Sequence, residues 1–520
     1  MNLSHKITTL WLCAWMLLTF GSQPAQADFR EDITQGYNLI DQWRFKEAEN
    51  YIGSLMKKYP QSGDVYFLKS RIEFYKGNYN RAWKLMENVE DASPTVKSFK
   101  SLVENTREAT AGFVSRESEH FIFRFSDGAD QVLIHYAEEV LEKSYRVLGD
   151  ILEHHPKDKV RVEIYPSRIP FSKISPLTLK DIVTSGTVAL CKYNRIMIIS
   201  PGSLVRGYNW MDTLSHEYTH YLLSSKSHNN VPLWLHEGIA KYLETRWRAG
   251  NSHLTPIMET ILADGLGSDY LVALEDMMPS LAKLKTAEDV QLAYAEVATM
   301  VDYMTSLKGE TVLAALVDEL AGGIPIASIL KNQFGKNLTE FQADWKTYVL
   351  GKKFKTIPGL TVLKFRFKDK RSAEEEQEAF NIGHRRTHDL TLLGDILKSR
   401  QFIKAAIIEY RKAMVESATL SPILHNKLAG TYMLHQQFDK AEALLIESLQ
   451  YYPMFTTTLT NLGEVHFLQK SYQAALIFYR KAERINPFHP KVHARLIQIY
   501  AALGREKEKE DQGQLYSYIK

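Results

Sequence analysis

The chain has 520 residues, is 45% hydrophobic and carries a formal net charge of +3. That length suggests about three domains with room for substantial cores. So small a net charge says nothing about partners, but the lack of a basic tract or aromatic platform argues against nucleic acid.

At the N-terminus Lys6 precedes an apolar run from Ile7 to Phe20 and then Ala25-Gln26-Ala27, which reads as a signal peptide over 1–27 with cleavage after Ala27. The run is too short to span a membrane comfortably, and Leu10-Trp11-Leu12-Cys13 is a poor lipobox. The expectation is an exported chain, periplasmic or secreted, with no transmembrane segment once processed. Cys191 is then the one cysteine left of two. It can make no internal disulfide, and its apolar surroundings, Thr187 to Ser200, predict a buried structural thiol.

Residues 28–110 carry a repeat. Gly36, Phe45, Ala48 and Pro60 return 34 residues later as Ser70, Tyr79, Ala82 and Pro94. Small residues at this spacing let paired helices approach, an aromatic fills the gap between them, and Pro ends the second helix.

Over 111–352 the pattern changes. Glu119 to Phe125 alternates as a strand, Asp130 to Leu152 is a long amphipathic helix, Lys159 to Tyr165 is a second strand, and Val188 to Ser200 supplies one or two more. A helical array runs from Met211 to about Lys352. Strands followed by helices predict an α+β domain. Within the array, His216-Glu217-Tyr218-Thr219-His220 reads H-E-x-x-H, and Trp234-Leu235-His236-Glu237-Gly238 follows after a loop marked by Asn229, Asn230 and Pro232. On a helix the two His, four apart, share a face and can grip one metal ion, with Glu217 beside it as general base. A catalytic zinc site needs three protein ligands and an open position, and Glu237 is the candidate third ligand. His228 and His236 are rivals. His236 lies about 100° around the helix from Glu237, so the two are not expected at one metal. Leu223 and Lys226 stand where a metzincin needs Gly and His, which excludes that class.

The stretch from Pro232 to Glu244 resembles the W-L-x-E-G-x-A-x-Y-x-E motif of the gluzincin clan, and most of all its peptidase MA-like family, related to the aminopeptidase-N group. The resemblance covers roughly 115–350. It implies a gluzincin-type metallopeptidase domain, with His216, His220 and Glu237 holding one Zn2+ per chain and Glu217 catalytic. The spacing from second His to Glu is two residues shorter than in the aminopeptidase-N group. The G-x-M-E-N exopeptidase motif is missing, so endopeptidase activity is expected. By the same analogy Tyr294, 57 residues past Glu237, is the candidate oxyanion donor, with Tyr303 a rival and a core role the bland alternative for both. Asp212 and Glu244 are candidates to orient the imidazoles. The implied reaction is hydrolysis of a peptide bond by a zinc-activated water, with Glu217 passing the proton to the leaving amine. The plan also implies an edge strand that binds substrate backbone in extended form, for which Arg195 to Ser200 is the candidate.

Residues 353–385 are charged, above all from Lys368 to Glu378, and read as a linker. Over 386–520 the 34-residue interval returns: Leu428, Ala429, Phe438, Ala441, Ser448 and Pro453 recur as Leu462, Gly463, Tyr472, Ala475, Ala482 and Pro487. This is the tetratricopeptide (TPR) period. A looser copy runs through Leu393, Gly394, Phe402, Ala405 and Ala413, and the polar run Arg505 to Asp511 reads as a capping helix. All-α TPR modules are thus expected on both sides of the α+β domain. They could bind a protein or peptide substrate, or a cell-envelope partner. The competing readings are a TPR scaffold or chaperone of the cell envelope whose metal domain is structural or weakly active, and a different hydrolase on the same zinc plan. A periplasmic metalloprotease group with C-terminal TPRs shares the architecture only, because its E-x-E-A-D ligand motif is missing.

Overall fold

The computed structural model describes residues 23–520 apart from 91–92, 250–251, 355, 358, 360–361, 364, 369–383 and 418. The apolar run of the expected signal peptide therefore lies outside the described residues, whereas the expected cleavage site falls within the first described helix, Gln23–Asp41. Among the described residues no helix is long and apolar enough to cross a membrane.

The chain divides into two compact units. The first contains helices α1 (Gln23–Asp41), α2 (Phe45–Lys58), α3 (Gly63–Tyr75), α4 (Tyr79–Met86) and α5 (Pro94–Ala109). Its core joins Leu39, Ile40, Ala48, Ile52, Leu55, Val65, Leu68 and Ile72. The small residues do what their spacing predicts. Gly36 faces Leu68, whose Cδ1 would lie 2.6 Å from an added Cβ, and Ser70 Oγ donates to the Ala82 carbonyl at 2.8 Å.

The second unit opens with a five-stranded mixed sheet: β1 (Phe113–Glu117), β2 (Phe121–Ser126), β3 (Val160–Tyr165), β4 (Ala189–Lys192) and β5 (Arg195–Ile199). The spatial order is β1-β2-β3-β5-β4. β2, β3 and β5 run parallel, and β1 and β4 close the two edges antiparallel. The long helix of the sequence reading is a 3-10 turn, Ala129–Leu133, continued as α6 (Ile134–Ile151). One expectation is corrected here. Residues 195–199 are not an edge. β5 is internal, buried at all five positions between β3 and β4, as a continuous apolar run is when neighbours cover it on every side. The edge beside the later helices is β4, and Cys191 on it is only half-buried.

After two short helices, α7 (Arg168–Ile174) and α8 (Leu179–Ser185), the helical array packs against the sheet: α9 (Trp210–Lys226), α10 (Leu233–Leu243), α11 (Pro256–Gly267), α12 (Ala287–Lys308), α13 (Val312–Ala321), α14 (Ile326–Phe334) and α15 (Leu338–Gly351). α9 is no one-sided amphipath. Nearly every side chain from Trp210 to Ser224 is buried, polar Asp212, Ser215 and Thr219 included. Thr219 Oγ1 meets its hydrogen-bonding need at the Ser215 carbonyl, 2.9 Å away.

α12 carries a buried carboxyl with a thermodynamic consequence. Glu296 is 1% exposed and accepts the Val272 N–H at 2.9 Å. Burial pushes its pKa up to about 8 against the pull of that N–H and of Lys346. The folded value lies above the unfolded one, so the neutral carboxyl favours the fold fully below about pH 4.5. Stability then falls as pH rises toward 8, by roughly 1.4 kcal/mol per unit crossed. Glu296→Gln keeps the acceptor and removes the titration. Thermal melts should show the variant above the parent at pH 8 and close to it near pH 5; an equal difference at both pH values would contradict this account.

Beyond the linker come α16 (Arg385–Ser399), α17 (Ile403–Glu416), α18 (Pro422–Leu434), α19 (Phe438–Tyr451), α20 (Thr456–Leu468), α21 (Tyr472–Ile485), α22 (Pro490–Ala502) and α23 (Glu506–Tyr518). These are antiparallel pairs at the TPR period. Gly394 sits against Tyr410 and Gly463 against Tyr479, with an added Cβ 2.6 and 2.8 Å from the ring. In the looser first copy Gly394 and Ala413 are buried as expected, but the start of the second helix is read one residue early. Phe402 is 59% exposed, and Ala406 rather than Ala405 takes the buried small position.

This module is fastened to the α+β domain. Trp210 Nε1 donates to the Arg484 carbonyl at 2.8 Å, the Arg484 guanidinium pairs with Glu139, and Thr456 Oγ1 donates to the Arg206 carbonyl at 3.0 Å. Gly207, at φ +65°, lies so close to α21 that a Cβ would sit 2.3 Å from the Ile485 carbonyl oxygen. The linker joins in: Leu204 and Phe367 form an antiparallel bridge, and Val205 N–H donates to the Arg366 carbonyl at 2.9 Å.

Candidate metal and catalytic site

α9 presents His216 and His220 one turn apart, their ring centroids 4.7 Å from each other. α10 brings Glu237 to them. Its Oε2 lies 3.6 Å from His216 Nε2 and 3.3 Å from His220 Nε2. Two ligand atoms at about 2.0–2.1 Å from one tetrahedral ion are about 3.3 Å apart, so these atoms are spaced as zinc requires. Glu237 Oε2 is buried with no hydrogen-bond partner, a costly condition that a cation would relieve. Burial disfavours the charged form of Glu237, yet the His220 and His216 imidazoles outweigh it and hold the carboxyl far below its usual range. Burial likewise opposes protonation of His216, but the Glu237 and Glu244 carboxylates beside it, reinforced by the charge of Glu217, raise it to about 10. The pocket is built to hold positive charge. His216, His220 and Glu237 are thus one group able to hold a metal among the described residues. The other, Glu119, His120 and Glu142, is more exposed, and its His120 Nδ1 is already 2.6 Å from Glu142.

Glu217 is 6% exposed, and its Oε2 has no hydrogen-bond partner. Burial raises its pKa against the pull of both imidazoles and of the Cys191 backbone N–H, so a basic carboxylate faces the metal group beside edge strand β4. Burial, with the Glu217 charge, also pushes the Cys191 thiol up, which leaves it protonated and unfit as a nucleophile.

Tyr294, on α12, packs edge-on against His216 at 6.0 Å between centroids. Burial and the carboxylates of Glu237, Glu217 and Glu244 raise its phenol well above the ordinary value. It therefore stays a proton donor. The rival Tyr303 packs instead on Phe341 and Tyr348.

The two candidate orienting carboxylates part company. Glu244 Oε2 is 3.3 Å from His216 Nδ1, and its other oxygen pairs with Lys241. Asp212 touches neither imidazole, a correction to the sequence reading. It is taken up by Arg248 at 2.6 Å, Trp247 Nε1 at 2.8 Å and Asn209. The bidentate guanidinium suits a carboxylate better than any single imidazole N–H does.

His236 is the partner the sequence reading missed. It is no ligand, but its Nδ1 lies 2.6 Å from His220 Nδ1, the rings are stacked at 4.5 Å, and its Nε2 is 3.2 Å from Ser224 Oγ. Burial, helped by charge on His220, lowers its pKa to about 3, so it is neutral. The network then assigns the protons: His220 Nδ1–H donates to His236 Nδ1, leaving His220 Nε2 for a metal. The adjacency of His236 and Glu237 was the one available signal. Removing this acceptor by His236→Ala should weaken zinc binding by about 10–100-fold, as read by competition with a chromophoric chelator, and His236→Asn should recover part of the loss. Unchanged affinity in His236→Ala would deny the ring its orienting part.

Two stretches of the chain match known family models. Residues 156–351 match the family model of the Peptidase MA superfamily, and residues 427–490 match that of the Tetratricopeptide repeat. The sheet begins before the matched segment, since β1, β2 and α6 precede residue 156. No curated protein matches in sequence. Among solved structures, native yeast LTA4 hydrolase is similar at 13% identity, over 78% of this chain and 66% of that one, with a TM-score of 0.33. Yeast Tom70 is similar at 11% identity over 92% and 90%, with a TM-score of 0.22. MamA from AMB-1 is similar at 16% identity over 28% and 83%, with a TM-score of 0.23.

Proposed function

We propose that this chain, which carries a Peptidase MA superfamily domain and tetratricopeptide repeats, is an exported zinc endopeptidase of the gluzincin type. The observation that carries the reading is the convergence of His216 Nε2, His220 Nε2 and the orphaned Glu237 Oε2 at zinc-ligand spacing, with the buried Glu217 carboxylate alongside. Zinc held there supplies Lewis acidity, which polarises a carbonyl and makes water a nucleophile near neutral pH.

The chain's own groups do the rest. Glu217 takes one proton from the attacking water as the C–O bond forms, and delivers it to the amide nitrogen as the C–N bond breaks. Tyr294 Oη donates to the developing oxyanion. Glu244 and His236 hold His216 and His220 in the tautomers that turn Nε2 inward. The half-buried edge strand β4 offers backbone hydrogen bonds to an extended substrate. Export rests on the N-terminal pattern ending at Ala27.

The test is metal content and cleavage of an unfolded protein such as casein by the full chain. One zinc per chain is expected. Chelation should abolish cleavage, and added zinc should restore it. Cleavage that survives chelation would sink the zinc reading. Bound zinc without cleavage of any unfolded substrate would favour the scaffold reading.

A further inference from the structure

The catalytic groups open into a cleft of ≈ 440 Å³ that is lined in part by residues outside the peptidase domain. His216, Glu217 and Tyr294 line it. So do Tyr452, Met454 and Phe455, from the turn between α19 and α20 of the C-terminal repeats, with Leu363 of the linker. We propose that this repeat turn is the specificity wall of the cleft, and that it selects unfolded polypeptide with a large apolar side chain at one position beside the scissile bond. The proposal deepens the peptidase reading and rests on it.

Three observations carry it. First, the wall is rigid. Tyr452 and Phe455 belong to a buried apolar cluster with Ile423, against which Leu363 and Ile257 pack. Tyr452 Oη is tied to the Leu420 carbonyl at 3.0 Å, and the Arg206 guanidinium lies 4.9 Å over the Phe455 ring. Second, Thr456, just after the turn, is tied to the Arg206 carbonyl, while Trp210 and Gly207 hold the end of α21, so the repeats are fastened to the metal helix and the loop before it. Third, Met454 lines the cleft while 37% exposed. A flexible, polarisable thioether over a fixed apolar floor accepts Leu, Phe or Met side chains of varied shape. The repeats thereby read the substrate at the catalytic cleft itself, rather than only through a separate concave surface.

The experiment uses binding, so that it does not depend on hydrolysis. Full-length, zinc-loaded Glu217→Gln protein is presented with a randomised decapeptide library, and the captured peptides are sequenced. Enrichment of Leu, Phe and Met at one position is expected. Adding Met454→Lys should reduce it by roughly tenfold and favour Asp or Glu there. Met454→Ala should weaken it without the acidic preference. Ile477→Lys, at a more open apolar site on α21 outside the cleft lining, should leave it intact. A profile indifferent to both Met454 substitutions, or no enrichment at all, overturns the proposal. The peptidase reading fails separately: capture that depends on Met454 alongside no cleavage by the parent keeps the wall and removes the hydrolase. Cleavage indifferent to Met454 does the reverse.

Discussion

Glu217→Gln should lower kcat/KM for a cleaved peptide by two to four orders of magnitude while one zinc per chain and the melting temperature are retained. That range is the usual contribution of a positioned general base. The amide is nearly isosteric and cannot accept the proton. The site around it makes the effect clean. Glu217 contacts no structural partner through Oε2, and its burial penalises charge, so a neutral side chain costs the fold little. Steady-state kinetics, zinc analysis and thermal melts on one preparation settle the matter. A variant retaining more than about a tenth of the activity would move the base to another group, and one losing zinc as well would make Glu217 a determinant of metal binding.

Gly238→Ala should cost the fold and the metal together, because of how α10 lies on α12. A Cβ at 238 would stand 2.6 Å from the Val297 carbonyl oxygen and 2.9 Å from Val301 Cγ2. The first of these is helix backbone and cannot turn aside, so α10 must shift. Overpacking of this kind costs about 1–3 kcal/mol. The shift also carries the neighbouring Glu237 away from His216 and His220, and a ligand displaced by about 1 Å can lower the rate by about 10²-fold. Gly430→Ala is the control. It too lies within a helix, but nothing stands within 4 Å of its added Cβ, so it should be neutral or stabilising by roughly 0.5–1 kcal/mol. Melts and chelator competition on the two variants should diverge; equal behaviour would mean that the contact of α10 with α12 is softer than its distances imply.

The sequence by itself determined what depends on local spacing. His216, Glu217 and His220 share a helix, so a separation of four residues is enough to put both imidazoles on one face. Glu237 follows after one short loop, and the 34-residue recurrence needs no tertiary information because each repeat packs on its neighbour. Where the loop 417–421 is one residue longer than the turn 452–455, the first copy stands 35 rather than 34 residues before the next, and the period alone could not say which side chain turns inward. Tertiary structure decided everything that joins distant segments. The run 195–199, apolar after Arg195, reads equally as edge or centre until β3 and β4 are seen to cover both sides of it. Asp212 and Glu244 are equivalent in sequence, and Arg248 and Lys241 give them different surroundings. His236 could be judged as a ligand from its helix angle, but not as the acceptor for His220, because that contact depends on how α10 is seated against α9. Most of all, the wall formed by Tyr452, Met454 and Phe455 stands more than two hundred residues from Glu217 along the chain. No periodicity records such a contact; it exists because Gly207 and Trp210 give α21 a place to dock.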